Sequence, residues 1–222
     1  MTDLEQLRRF YLGTTDHGES LFETWERGDA RGDSVTPSTY SAQYRRWMCD
    51  LLLGHLRARP GGMISVGSGN AAIETEIVHA GHRVLAVDVF PEAVELARRK
   101  GVDAALADVR RWSPPAGAWT VVYADGVMGH LYAPDVELLP VLTAVRSWLS
   151  PQHGVLVISN DRPRGLANVQ PAPGVPGFYW LSEEFLRKQA EAAGFDELSA
   201  VTFSYLRPLS GVRERAVLTA RV

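Results

Sequence analysis

Residues 63–90 read Met63-Ile64-Ser65-Val66-Gly67-Ser68-Gly69-Asn70 followed by AAIETEIVHAGHRVLAVDVF. An apolar run over 63–66 leads directly into a glycine-rich turn. A helix-length stretch over 71–80 follows, and a second apolar run over 83–87 ends at Asp88. Gly67 and Gly69 lack a Cβ, so the turn can be tight and a ligand can approach its backbone. The helix start beyond it presents N–H groups with no partner inside the helix, a seat for an anionic group. Asp88 follows the turn by roughly 20 residues, the separation at which an acid reaches ribose hydroxyls in a doubly wound fold. A glycine turn alone is common. Strand, turn, helix, strand and terminal acid in that order predict a nucleoside-binding βαβ unit.

Reading outward, further strand candidates lie at 104–106, 120–124 and 155–159, with helix candidates at 91–100 and 135–149. Pro91 suits the first turn of its helix. This alternation predicts a parallel sheet covered on both faces. The end of the chain differs. A helix over 182–193, opened by Ser182, precedes two strand-like runs at 198–206 and 213–222, joined by Pro208-Leu209-Ser210-Gly211. They predict an antiparallel hairpin appended to the parallel sheet.

Upstream, Tyr44, Trp47, Met48, Leu51, Leu52 and His55 recur at helical spacing. Ser38 or Thr39 suits the start of that helix, and Pro60-Gly61-Gly62 its end. Residues 14–37 read as loop with short helical pieces. The expected organisation is a helical lid over 1–60 and an α/β core over 61–222.

Composition bounds the function. The 222 residues carry 23 basic and 26 acidic side chains, a net charge of −3, with 45% hydrophobic residues. That is ordinary for a globular protein, and without the basic footprint that general nucleic-acid binding needs. No apolar run approaches a membrane span, and the N-terminal stretch lacks a signal-like apolar segment. A single cysteine, Cys49, excludes an internal disulfide or a cysteine zinc cluster, and its place on the apolar side of a helix points to core packing. No His, Asp and Glu set has metal-ligand spacing, so no metal site is expected. A cytoplasmic protein is expected, monomeric or homodimeric, with a small-molecule partner.

The stretch 63–159 resembles class I S-adenosylmethionine-dependent methyltransferases. The resemblance rests on Ser65-Val66-Gly67-Ser68-Gly69-Asn70-Ala71, on Asp88-Val89-Phe90, on Leu106-Ala107-Asp108-Val109-Arg110, and on the run Val121 to Leu131. It implies a Rossmann-like, doubly wound, seven-stranded sheet with an antiparallel last strand, and S-adenosyl-L-methionine as methyl donor with S-adenosyl-L-homocysteine as product. It also implies donor contacts at Gly67, Ser68, Gly69 and Asn70, at Asp88 for the ribose, and at Val89, Asp108 and Val109 for the adenine. Asp125, at a strand end, is a candidate to hydrogen-bond the donor's amino group or to bind a cationic substrate, or else a loop cap. Ser65 stands where the family usually has an acid that supports the methionine amino group. Ala71 stands where a third glycine is frequent. The segment Thr39 to Trp47 resembles the helix preceding the glycine motif in glycine N-methyltransferase-like enzymes, which makes Tyr40 and Tyr44 donor-contact candidates.

Methyl transfer from a sulfonium needs alignment, exclusion of water and sometimes a proton acceptor. Ligands in open parallel sheets sit beyond the carboxyl ends of the strands. His130 is therefore a base candidate, or a histidine that orients its loop. Asp161 is a base or amine-pairing candidate, or a turn residue together with Asn160. Tyr132, Asn160, Arg162, Tyr179 and Trp180 are acceptor-binding candidates. The proline- and glycine-containing stretch 162–177 reads as a long loop, of a length usually functional. Arg162 and Arg164 are carboxylate-binding candidates or solvated cations. His17, Tyr11 and Trp25 belong to the lid, Trp25 as a packing anchor. High Arg and Ala with little Lys suggests a GC-rich bacterial source, where such enzymes act on small metabolites at nitrogen or oxygen. A nicotinamide-dependent oxidoreductase uses a similar turn and acid, and a non-catalytic cofactor-binding member of the fold carries the same motifs; these are the alternatives.

Overall fold

A computed structural model describes residues 3–13, 18–114 and 119–222. The N-terminal segment holds α1 (Asp3–Leu12), α2 (Leu21–Glu26), the one-turn α3 (Pro37–Tyr40) and the long α4 (Ala42–Ala58). Strands and helices then alternate: β1 (Gly62–Val66), α5 (Ala72–His79), β2 (Val84–Asp88), α6 (Pro91–Arg99), β3 (Asp103–Leu106), β4 (Trp119–Asp125), the short α7 (Met128–Leu131), α8 (Leu139–Trp148) and β5 (Val155–Asp161). The chain continues with β6 (Val169–Pro171), β7 (Tyr179–Leu181), α9 (Glu183–Ala192), β8 (Asp196–Arg207) and β9 (Gly211–Arg221).

One sheet has seven strands in the order β3-β2-β1-β4-β5-β9-β8. β1 to β5 run parallel, β9 lies antiparallel beside β5, and β8 pairs antiparallel with β9. The expected architecture is therefore present, with the reversed strand β9 last in the chain. Strand order switches direction between β1 and β4, and the crevice beyond their carboxyl ends is where such sheets bind ligands.

The pleat of β1 distributes the core. Ile64 and Val66 face a cluster with Val141, Leu142, Phe185 and Leu186 from α8 and α9. Met63 faces the other side, with Met48 and Leu52 of α4 and Ile73 and Ile77 of α5. Burying each such side chain contributes about 1.5–3 kcal/mol, and together they hold the strand ends that form the site. Cys49 is buried in the second cluster, the core role expected.

Several boundaries differ from the sequence reading. The long helix is capped by Ser41, not Ser38 or Thr39: Ser41 is extended, and its Oγ accepts from the Tyr44 N–H at 3.2 Å. Pro37 opens a separate turn of helix just before it, which uses up Ser38 and Thr39. The α4 helix, within the segment expected as a lid, packs on the sheet through Met48 and Leu52. The helix expected from 135 begins at Leu139, because Glu137 takes a left-handed φ of 53° and bridges back to Ala133. The expected loop 162–177 contains β6, which pairs with β7 through Val169 and Leu181. Three-residue strands bearing a proline carry too little periodicity to be read in advance.

Candidate active site

A cavity of about 750 Å³ opens beyond the carboxyl ends of β1, β2, β4 and β5, with the lid across it. Its size lies within the range of small-molecule sites. Gly67, Ser68, Gly69 and Asn70 form its floor. Gly67 has φ +68°, and a Cβ there would lie 2.6 Å from Val127 Cγ2, so no side chain fits. The Gly69 N–H donates to Asp88 Oδ2 at 3.0 Å, and the Phe90 N–H donates to Oδ1 at 3.0 Å. Burial pushes the Asp88 pKa up to about 6, against the lowering effect of these backbone N–H groups. Ser68 Oγ is buried and finds no hydrogen-bond partner among the described residues. A polar atom left in this way on a cavity floor fits a polar ligand above it.

Val89, Asp108 and Val109 form the neighbouring wall. The Arg110 guanidinium grips Asp108, with Nη2 2.8 Å from Oδ2, and holds its carboxyl below the usual range. Asn70 also reaches the lid: its Nδ2 donates to Glu26 Oε1 at 2.9 Å, and Lys100 Nζ donates to the same oxygen at 2.5 Å. The lid itself is an apolar unit in which Leu21, Phe22 and Trp25 pack with Phe90 and Ala93 at the end of β2 and on α6. Trp25 is thus both the anchor expected and a wall of the cavity. His17 lies outside the described residues.

His130 sits on α7 and lines the cavity. Its Nε2 is 2.8 Å from the Tyr11 hydroxyl, which the lid brings over it. Burial pushes the His130 pKa down to about 4, and its Nδ1 finds no hydrogen-bond partner among the described residues. The ring is therefore neutral at pH 7, and burial makes it a weak base. Burial raises the Tyr11 hydroxyl above its ordinary value, so it keeps its proton. Phe178 stacks against His130 at 4.7 Å, and Tyr132 meets Tyr179 at 4.8 Å. Gly129 allows this approach: a Cβ there would fall 2.2 Å from the Tyr179 carbonyl oxygen. Tyr132, Tyr179 and Trp180 all line the cavity.

At the ends of β4 and β5 lies a buried ion network that the sequence reading missed. Arg215 of β9 is in register with Asp161 of β5. Its Nη1 lies 3.2 Å from Asp161 Oδ1, and its Nη2 pairs with Asp125 Oδ1. Burial disfavours the Arg215 charge, but Asp125 and Asp161 beside it outweigh that and raise its pKa. Arg207 pairs with Asp161 Oδ2, and the Tyr205 hydroxyl donates to Oδ1 at 3.0 Å. Both arginines line the cavity. The signal available was the alternation of Arg213 and Arg215 on a strand expected to join the parallel sheet.

The structure corrects several site expectations. Asp161 lines the cavity and commits three of its acceptor positions to Tyr205, Arg207 and Arg215. Tyr44 is fully buried and its hydroxyl meets Ser159 Oγ at 2.6 Å, beneath the site and away from any donor. Tyr40 does not line the cavity either; α3 turns the chain before it can reach. Asn160 is fully buried beneath the wall, where its Oδ1 accepts from the Gly129 N–H at 3.2 Å and its Nδ2 donates to the Tyr179 carbonyl at 3.2 Å. Arg162 pairs outside with Glu214 at 2.8 Å, and Arg164 lies over the Trp180 ring. Asp125 lines the cavity with one oxygen committed to Arg215.

Residues 40–200 match the model of a methyltransferase domain family, and the chain belongs to that family. It is 40% identical to a tabtoxin biosynthesis enzyme of Pseudomonas amygdali pv. tabaci, over 99% of this chain and 89% of that one. Among solved structures, it resembles the Burkholderia thailandensis 1,6-didemethyltoxoflavin-N1-methyltransferase with bound 1,6-didemethyltoxoflavin and S-adenosylhomocysteine. That likeness has a TM-score of 0.64 at 22% identity, covering 90% of this chain and 84% of that one. It also resembles the magnesium protoporphyrin IX methyltransferase of Synechocystis PCC 6803 with bound SAM, at a TM-score of 0.63 and 16% identity, over 100% of this chain and 98% of that one. The family assignment displaces the nicotinamide reading. Among the described residues, no helix is long and apolar enough to cross a membrane.

Proposed function

We propose that the protein transfers a methyl group from S-adenosyl-L-methionine to a nitrogen or oxygen of a small metabolite in bacterial specialised metabolism. The observation that carries the reading is the glycine turn joined to Asp88 at the switch point of a methyltransferase-family sheet. The kinship with a tabtoxin biosynthesis enzyme supports the metabolic setting.

The residues fit the donor. Asp88 offers carboxylate oxygens to ribose hydroxyls, Ser68 Oγ lacks any other partner, and Val89, Val109 and Asp108 offer an apolar slot with an acid at its edge for adenine. When bound, the donor supplies a methyl carbon on a sulfonium that is already a good leaving group. The protein's share is alignment, dryness and proton handling. Tyr132, Tyr179 and Trp180 offer flat walls that orient an acceptor. The lid aromatics keep water out. His130, kept a weak base by burial, takes the proton of an acceptor whose methylated form is strongly acidic, such as a hydroxyl methylated to an oxonium, and the Tyr11 hydroxyl, which keeps its own proton, orients the ring.

The test is turnover of a panel of small amines and hydroxy compounds, followed by formation of S-adenosylhomocysteine. We expect His130→Ala to lose turnover by about 10²–10⁴-fold while still binding S-adenosylhomocysteine. Full activity in that variant would remove the base role. No turnover of any acceptor by a wild-type protein that binds the donor tightly would favour a non-catalytic member of the fold.

A further inference from the structure

Glu74 belongs to none of the roles above. It stands in the first turn of α5, is only 3% exposed, and lines the cavity close to Ser65, Tyr123 and Asp125. Ser65, at the end of β1, donates its hydroxyl to Glu74 Oε1. A carboxylate buried this far normally has a cation beside it. Three other acids lining the cavity do: Arg215 holds Asp125, Arg207 and Arg215 hold Asp161, and Arg110 holds Asp108, while backbone N–H groups hold Asp88. Glu74 forms no ion pair among the described residues. It faces open volume instead, on the side of the glycine turn away from Asp108.

We infer that Glu74 binds the ammonium group of the methyl donor's amino-acid tail. The inference rests on the reading of the cavity as the donor's seat, and names a determinant within it. With the nucleoside fixed by Asp88, the rest of the donor extends past the turn toward β4. The tail carries a primary ammonium group, and Glu74 is the acid there that no protein cation has claimed. Ser65 orients the carboxylate through its hydroxyl. Strand β1 thus contributes a positioning hydroxyl, and helix α5 contributes the charge. The burial that pushes the Glu74 pKa up to about 7, with Asp125 adding to it, is the condition that a bound ammonium would relieve. An acceptor amine is the other source of the same chemistry, but His130 and the aromatic walls that would hold an acceptor stand on α7 and β7 rather than beside α5.

The test separates the tail from the nucleoside. S-adenosylhomocysteine carries the ammonium group, whereas 5′-methylthioadenosine carries the same nucleoside and sulfur without it. Calorimetry at pH 8 on wild-type protein and Glu74→Gln should show S-adenosylhomocysteine binding weakened about ten- to hundredfold. Binding of 5′-methylthioadenosine should stay within about twofold, which also shows that the variant is folded. Equal S-adenosylhomocysteine affinity in both proteins would overturn the inference, and so would a parallel loss of both ligands, which marks a shape role. Wild-type protein that binds neither ligand would instead overturn the donor reading beneath it.

Discussion

Single residues in this site are set against stability. Glu74 and Asp88 are acids whose pKa values burial raises to about 7 and about 6. A raised folded-state pKa means that folding is favoured while the acid is protonated, and that this contribution is lost as pH rises through the folded value. For Glu74 the window runs from its ordinary value of 4.5 up through about 7. Glu74→Gln should therefore be more stable than wild type in the ligand-free state at pH 8, by about 1–3 kcal/mol. The gap should close as pH falls toward 5, as urea unfolding at several pH values would reveal. A gap that stays constant with pH would place the effect outside the Glu74 charge. Ala71 is a smaller case. It stands where the resembling family often has a third glycine, and its φ of 53° and ψ of 38° are left-handed. There the objection is the backbone rather than the volume, at a cost of roughly 1–2 kcal/mol. Strain at a ligand-binding turn is a recurring feature of functional sites.

At the scale of elements, the legible parts of the sequence were those with strong periodicity. The βαβ unit over 63–90, the C-terminal hairpin and the helix opened by Ser182 each combine an apolar period with a turn or cap residue, and each stands close to where it was read. The short strands β6 and β7 have no such signal. The aromatic wall they build was legible only through Tyr179 and Trp180. The polar site was legible where a local motif carries it, as at Gly67, Asp88 and His130. It was not legible where partners lie far apart in sequence. Asp125, Asp161 and Arg215 come from three strands, and only the β5–β9 register joins them. That register lets a prediction be made about the elements. Arg215→Met strips the cation from two buried carboxylates at the ends of β4 and β5 and should destabilise the protein by about 3–5 kcal/mol. Adding Asp125→Asn and Asp161→Asn should recover much of the loss, as chemical denaturation would measure. A mild effect of Arg215→Met alone would mean that the network is solvated and does not tie the hairpin to the sheet.

Across the whole molecule, one sheet serves two sets of contacts. Its β2–β1 side, with the glycine turn, Asp88 and the lid packed on Phe90, forms the nucleoside half of the cavity. Its β4–β5 side, with α7, β7 and the arginines of the hairpin, forms the half where an acceptor would meet His130. Helices α1 and α2 reach both halves, through Glu26 to Asn70 and Lys100 on one side and Tyr11 to His130 on the other. This arrangement requires that the donor occupy the first half. The most direct test is calorimetric titration of S-adenosylmethionine and S-adenosylhomocysteine into wild-type protein and Asp88→Ala. Wild-type protein should bind both, and the variant should lose about 1–3 kcal/mol of that affinity as the ribose hydrogen bonds disappear. No binding by the wild type, or equal affinity in Asp88→Ala, would contradict it.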